Sequence, residues 1–199
     1  QALKSGRSAG YLYQYALFAD NTNQTEHADK LFTEALAAQR KLANDEPENL
    51  TFMITLLDRL GTVKLNLSQY DAGYALYTEA LALSLKLITL EPKASSTLST
   101  TLNSMWVITR ADPKRSNDIV KLYEQTIATL RTLSVSAPEA YLATLADALT
   151  SLASLLDSNQ EAARQAEGDQ LYTEALSIYR KLALTDPATH LPQVATMLR

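Results

Sequence analysis

The apolar residues of this chain recur at helical spacing and in a fixed register with four prolines. The prolines stand 45, 46 and 49 residues apart, at Pro47, Pro92, Pro138 and Pro187. An aromatic residue precedes each proline by fifteen positions, as Phe32, Tyr77, Tyr123 and Tyr172. An aliphatic residue precedes each by eleven positions, as Leu36, Leu81, Ile127 and Leu176. Four copies in one register indicate an internal repeat, which is the usual sign of a solenoid architecture.

Each copy predicts a helix that ends before its proline. Residues sixteen, twelve, eleven and five positions before the proline fall on one apolar face, Leu42 among them, and we expect this face to be buried. The proline terminates the helix because it cannot donate the next backbone hydrogen bond, and it suits the first turn of a following helix. Asp186 and Asp112, each directly before a proline, are predicted to cap that following helix.

A second apolar pattern follows each proline, so every unit holds two helices. We name the helix after a proline A and the helix before the next proline B. Short breaks between helices require antiparallel neighbours. Leu and Ala supply 64 of the 199 residues, a composition that favours helix over a β-sandwich. The sequence therefore predicts one all-α repeat domain of about nine helices, with units near 1–47, 48–92, 93–138 and 139–187 and a truncated A helix at 188–199.

The second unit carries the residues of a known repeat. The run from Leu60-Gly61 through Tyr77-Thr78-Glu79-Ala80-Leu81 to Glu91-Pro92 resembles the tetratricopeptide repeat (TPR), a helix–turn–helix of about 34 residues. The period here is longer by about eleven residues, or three helical turns, which keeps the apolar face in phase. In this respect the chain looks like the long TPR arrays of multidomain bacterial proteins. Later units depart from the pattern, with Trp106 and Ala153 at the position of Gly61.

This resemblance implies a right-handed solenoid of antiparallel helix pairs whose concave face binds a protein or peptide, and it implies no reaction. A HEAT or armadillo array, with a period of roughly 40–47 residues, is the alternative architecture. The glycine at position 61 and the recurring Thr-Glu-Ala-Leu favour the TPR. The aromatic residues of the repeat, and Trp106, are expected in the core.

The resemblance also implies that the A helices line the concave face. Aligning Leu60, Met105 and Leu152 as equivalent inward positions predicts a polar stripe beside them. Its members are Thr55, Asp58, Arg59, Thr62, Thr100, Asn103, Ser104, Asp147, Thr150, Ser151 and Ser154. Such hydroxyl and amide groups can hydrogen-bond to an extended peptide, although they are also ordinary solvated side chains. The basic clamp with which some TPRs hold a terminal carboxylate is absent from this stripe.

Candidate catalytic chemistry is sparse. The two histidines, His27 and His190, are far apart along the chain and are expected to be solvated. Glu34, Glu79 and Glu174 occupy the same place in successive units, so architecture accounts for them better than acid–base work. Cysteine is absent, and neither a glycine-rich phosphate loop nor an H-E-x-x-H motif occurs. We therefore expect no catalytic residues, no metal and no cofactor.

Charge and hydropathy narrow the set of partners. A formal net charge of −4 disfavours binding to a phosphate backbone, so no nucleic-acid partner is expected. The sequence contains no run of 18 apolar residues, so it predicts no membrane span. Residues 1–8 lack the apolar core of a signal peptide, which slightly favours the cytoplasm.

The sequence thus favours a non-enzymatic scaffold that binds a protein or peptide. A sensor or scaffold arm of a larger effector is the alternative, and an all-α enzyme is a remote one. The absence of an initiating Met and the lone last A helix are features expected of a fragment of a longer chain. Leu191, Val194 and Leu198 give that last helix an apolar face, which predicts self-association or docking on the rest of such a chain.

Overall fold

The structure, a computed structural model, describes residues 8–42, 45–157 and 162–198. Within these ranges it contains nine α-helices, two short 3-10 turns and no strand. The helices are α1 (Ala9–Asn21), α2 (Thr25–Leu42), α3 (Pro47–Asn66), α4 (Tyr70–Leu90), α5 (Ser95–Ala111), α6 (Ser116–Ser136), α7 (Pro138–Asp157), α8 (Ala162–Thr185) and α9 (Pro187–Met197). The prediction of an all-α repeat of about nine helices is confirmed.

Prolines begin the A helices or the turns that lead into helices. Pro47, Pro138 and Pro187 are the first residues of α3, α7 and α9. Asp186 caps α9 as predicted, since its side chain accepts a hydrogen bond of 3.2 Å from the backbone N–H of Thr189. The same prediction for Asp112 is wrong. The chain forms a 3-10 turn at Pro113–Arg115 before α6 begins, and Asp112 makes no side-chain cap.

The helices pack consecutively, each A helix on its own B helix and each B helix on the next A helix. The A helix α5 also contacts both of its neighbouring A helices, α3 and α7. The core forms two clusters that meet in α4, where Ala80 and Leu87 belong to the first cluster and Leu81 and Ile88 to the second. This arrangement places α3, α5 and α7 side by side, which positions the predicted polar stripe.

The repeat positions fifteen and eleven residues before the proline are buried in the first three units, as expected. These residues are Phe32, Tyr77, Tyr123, Leu36, Leu81 and Ile127. In the fourth unit the prediction is wrong, because Tyr172 and Leu176 are only half-buried. Among the described residues only α9 follows α8, so that side of α8 is incompletely covered. Leu42 is also exposed rather than buried, since it lies at the very end of α2.

Small residues let three of the four A–B pairs cross closely. Equivalent positions in these pairs hold Ala16 with Ala28, Gly61 with Gly73, and Ala153 with Gly168. A Cβ atom on Gly73 would lie 3.3 Å from the carbonyl oxygen of Gly61, and one on Gly168 would lie 3.3 Å from that of Ala153. In the α3–α4 and α7–α8 pairs a side chain at this position of the B helix would therefore press on the backbone of the A helix.

The α5–α6 pair is different. Trp106 and Ile119 occupy the positions that are small in the other pairs. α5 accordingly contacts α6 far less extensively than α3 contacts α4 or α7 contacts α8. Trp106 is half-buried at the edge of the gap, with the Arg110 guanidinium 5.1 Å above its ring. Trp106 packs against the core cluster but is only half-buried, so the expectation that it lies in the core is met only in part.

Ion pairs link consecutive B helices at two junctions. Arg40 of α2 bonds to Glu79 of α4 at 2.5 Å, and Arg131 of α6 bonds to Glu174 of α8 at 2.6 Å. The two arginines stand at equivalent positions, as the two glutamates do, so these carboxylates serve the architecture as expected. At the intervening junction the equivalent residues are uncharged, Leu85 and Gln125.

Candidate functional site

The predicted polar stripe lies along α3, α5 and α7, and ten of its eleven members line two neighbouring clefts. The first cleft, of about 380 Å³, contains Thr55, Asp58, Arg59, Thr62, Thr100 and Ser104. The second, of about 260 Å³, contains Asn103, Asp147, Thr150 and Ser151. Ser154 lies outside both. We call the two clefts together the A-helix groove.

The carboxylate of Asp58 lies between α3 and α5 in the first cleft. Its Oδ2 accepts a hydrogen bond of 3.2 Å from the hydroxyl of Thr101, which itself lies 3.2 Å from the hydroxyl of Ser84 on α4. Its Oδ1 is buried and has no hydrogen-bond partner among the described residues. Burial raises the pKa of Asp58 from 3.8 to about 6, although the Thr101 hydroxyl and the Arg59 charge partly lower it. Asp58 is thus a carboxylate whose charge is incompletely compensated.

A second carboxylate, Asp147, lies in the other cleft, and each of its two oxygens accepts a hydrogen bond. One of its oxygens accepts a short hydrogen bond from the hydroxyl of Tyr179 on α8. The other accepts a bond of 3.3 Å from the hydroxyl of Ser99 on α5. Burial, together with this bond to a carboxylate, raises the pKa of Tyr179 well above its usual range, so the phenol stays protonated as a donor. Asp147 is therefore held in place by α5 and α8.

The hydroxyl groups of the groove present acceptors to a ligand. Six of them donate their only proton to the carbonyl oxygen four residues earlier in the same helix, at distances of 2.8 to 3.1 Å. They are Thr55, Thr62, Thr100, Ser104, Thr150 and Ser151. Since a hydroxyl has one proton and two lone pairs, such a group can offer a ligand only its oxygen. Arg59 and the amide of Asn103 are the donors among the predicted stripe residues that line the groove.

Two members of the stripe also join A helices to B helices. The hydroxyl of Thr62 lies 2.8 Å from that of Tyr77, and the hydroxyl of Ser154 lies 2.8 Å from that of Tyr172. These pairs stand at equivalent positions of the second and fourth units. The third unit has Val107 in place of the small hydroxyl residue, and there Tyr123 donates instead to the backbone oxygen of Leu102 at 2.7 Å. Thr62 and Ser154 thus have a structural role besides any part in binding.

The stripe predicted from the sequence leaves out the side chains that bond to the two carboxylates, Thr101, Ser99 and Tyr179, and Ser84, which contacts Thr101. For Ser84 a signal exists, because this hydroxyl residue stands on the same helix face as Ala80, Leu81, Leu87 and Ile88. A polar residue in an apolar face predicts a buried hydrogen bond. Tyr179 gives no such signal, since a tyrosine is ordinary in a helical core.

The described part of the chain shows neither a metal site nor a membrane span. In residues 8–42, 45–157 and 162–198 no group of three His, Asp or Glu side chains is placed to hold a metal ion. None of the helices there is both long and apolar enough to cross a bilayer. No protein-family model matches the chain, and no curated protein matches its sequence.

Proposed function

We propose that this protein is a non-enzymatic, TPR-like scaffold that binds an extended segment of a protein partner in the A-helix groove. The observation that carries this proposal is the alignment of two adjoining polar clefts across three consecutive A helices. A segment laid along the groove meets α3, α5 and α7 at once, so several weak contacts add up on one ligand. The same surface is the one that the resemblance to the TPR assigns to ligand binding.

The groove favours a partner that is rich in hydrogen-bond donors. Its hydroxyl oxygens suit the N–H groups of an extended backbone, because their own protons are already donated to the helices. Asp58 and Asp147 suit the side chains of lysine or arginine. Arg59 is the only cation among the described residues that line the two clefts, and it leaves the pair of carboxylates incompletely neutralised. We therefore propose a basic rather than an acidic segment.

A sensor or scaffold arm of a larger effector is the second candidate, and α9 is the observation that favours it. Leu191 and Leu198 are exposed by 53 % and 59 %, whereas Val194 of the same helix packs against the core. Exposed leucines in α9 and directly after it suit docking onto another domain or a second copy of the chain. In this second proposal the A-helix groove still binds the partner, and α9 is the contact with the effector domain.

A selection with random peptides displayed on phage tests the proposal. The groove is blocked by the double substitution Thr100→Trp and Asn103→Trp, which places one indole in each cleft from exposed positions on α5. The matched control is Thr129→Trp with Thr132→Trp, two exposed positions on α6. Melting curves should be alike for both variants, because exposed substitutions usually change stability by about 0.5 kcal/mol or less.

We expect selected peptides to be enriched in Lys and Arg, to bind the control variant normally and to lose binding to the blocked variant. Peptides that bind the blocked variant as tightly as the wild type would show that the groove is not the site. Peptides that bind the groove but lack basic residues would support the scaffold function and refute only the proposed preference for a basic segment.

A further inference from the structure

The two clefts of the A-helix groove differ in how their carboxylates are occupied. Both oxygens of Asp147 accept hydrogen bonds from described side chains, those of Tyr179 and Ser99. Asp58 accepts only the bond from Thr101 to its Oδ2, and it belongs to none of the ion pairs of the described residues. A cation that enters the groove therefore meets the less compensated negative charge in the first cleft.

The first cleft offers hydrogen-bond acceptors on two facing helices. Five of the hydroxyl groups that line it donate their proton to the carbonyl oxygen four residues earlier, at 2.8 to 3.1 Å. They are Thr51, Thr55 and Thr62 of α3 and Thr100 and Ser104 of α5. A hydroxyl group engaged in this way can only accept from a ligand. The cleft thus holds oxygen acceptors beside a carboxylate, and this environment suits a cation that carries several donors.

The bonding of the Asp58 carboxylate favours an ammonium over a guanidinium. A guanidinium binds best when both oxygens of a carboxylate accept from its planar fork. Here Thr101 occupies Oδ2 and the Oδ1 atom is buried, so the fork cannot engage both oxygens. An ammonium has three donors that point in different directions, so it can bond to one carboxylate oxygen and to hydroxyl oxygens of either helix.

The size of the first cleft suits a single side chain. Its volume of about 380 Å³ lies at the lower end of the range for ligand sites. Arg59 is the cation among the described residues that line it, and this side chain is exposed. Water therefore screens much of the repulsion between Arg59 and a bound ammonium.

We propose that the first cleft is a lysine subsite, in which Asp58 and the hydroxyl oxygens of α3 and α5 bind the ammonium of one lysine of the partner segment. Asp58 is the residue that determines this specificity, and the second cleft, where Asp147 is already bonded, receives uncharged parts of the segment. This inference rests on the proposed scaffold function, because the lysine belongs to the segment that the groove binds.

Binding of the lysine should depend on pH. The ionisable groups whose charges act on Asp58 are Arg59 of α3 and Tyr77 of α4, and α5 contributes the hydroxyl of Thr101. Burial raises the pKa of Asp58 to about 6, so the carboxylate is charged at about pH 7.5 and mostly protonated at about pH 5. The affinity for an ammonium should therefore fall about tenfold between these two values. An affinity that is unchanged at the lower pH would overturn the proposal without any substitution.

The probe is n-butylammonium chloride, which has the four-carbon stem of a lysine side chain. The intact, isotope-labelled protein is titrated at constant ionic strength, and the backbone amide resonances of α3 and α5 are followed by NMR. 1-Butanol and n-propylguanidinium chloride are titrated in the same way. We expect saturable shifts with butylammonium, and binding that is at least about tenfold weaker for butanol and about threefold weaker for propylguanidinium. Equal affinity for butanol would refute the role of the carboxylate, and tighter binding of propylguanidinium would refute the preference for lysine.

Three variants test the charges of the cleft. Asp58→Asn should weaken butylammonium binding by about tenfold, the usual loss for one charge-assisted contact. Glu124→Gln, at an exposed position on α6, makes the same change of net charge and should bind like the wild type. Arg59→Gln removes the neighbouring positive charge and should strengthen binding. Unchanged binding by Asp58→Asn, an equal loss in Glu124→Gln, or weaker binding by Arg59→Gln would each refute the proposal.

A lysine of a peptide and a free alkylamine present the same ammonium group. The peptide acetyl-Gly-Ser-Lys-Ser-Gly-amide distinguishes the two sources, and it should bind at least as tightly as butylammonium, because its backbone N–H groups also reach the hydroxyl oxygens of the groove. Weaker binding of the peptide would refute lysine as the source. These titrations need no natural partner. A groove that selects peptides on phage but does not respond to butylammonium would refute the lysine subsite and leave the scaffold function standing.

Discussion

The substitution Asp58→Asn tests how burial of one carboxylate affects the stability of the fold. In the folded protein burial holds the pKa of Asp58 at about 6, whereas its ordinary value is 3.8. Between these two values the folded state binds more protons than the unfolded state. Stability is therefore highest below the unfolded pKa and is lost as the pH rises through the folded pKa. A shift of about two pH units corresponds to about 3 kcal/mol of unfolding free energy.

The measurement compares wild type and Asp58→Asn by urea unfolding, followed by circular dichroism from about pH 4 to about pH 7.5. Other titrating groups affect both proteins alike, so the difference between the two free energies isolates Asp58. We expect the wild type to lose up to about 3 kcal/mol relative to the variant as the pH rises across this window. The variant's own cost, an amide that must find partners for two buried hydrogens, does not depend on pH.

Two further variants serve as controls. Thr101→Val removes a hydroxyl that stabilises the charged carboxylate, so the pKa of Asp58 should rise further and the loss of stability should extend to higher pH. Thr129→Val makes the same change at an exposed position on α6, adds or removes no titrating group, and should give a difference that is flat with pH. A difference between wild type and Asp58→Asn that stays within about 0.5 kcal/mol over the whole range, or that changes with pH in the opposite direction, would refute the raised pKa of Asp58.

Three more variants test the repeat and its last helix. Leu81→Ala should cost about 2–5 kcal/mol in thermal or urea unfolding, and a loss below about 0.5 kcal/mol would contradict the repeat register. Gly61→Ala should cost about 1–3 kcal/mol in the same assay, because its Cβ would lie 2.9 Å from Cζ of the buried Tyr77; an unchanged midpoint would show that the pair can separate freely. Leu191→Ser with Leu198→Ser should lower any concentration-dependent mass seen by light scattering, whereas equal self-association would place the interface elsewhere.

Helix identity and register follow from local patterns in this chain. Leu36, Leu81 and Ile127 are predictable as core because their spacing from a proline places them on one helical face, and the proline limits the helix through its own covalent structure. The polar stripe was predictable for the same reason. Residues beside an inward leucine on an A helix must face the neighbouring A helices, and ten of the eleven residues do line the two clefts.

The electrostatics of the groove depended on the tertiary structure. Asp58 meets Thr101, 43 positions later, and Asp147 meets Tyr179, 32 positions later, and no local pattern specifies either contact. The raised pKa of Asp58 arises from its burial between two helices, which is a property of the packed array.

The opening between α5 and α6 was predictable from the sequence only in part. Trp106 is visible in the sequence as a departure from the position of Gly61, and by composition alone an indole favours the core. Only the packed helices show that it is half-buried and lines a cleft. The repeat position on α6 that is small in the other B helices holds Ile119, and α5 and α6 are in less extensive contact than the other A–B pairs. The sequence by itself therefore determined the helices and their register, whereas the distances between helices, and with them the cavities, were decided by which side chains met across each pair.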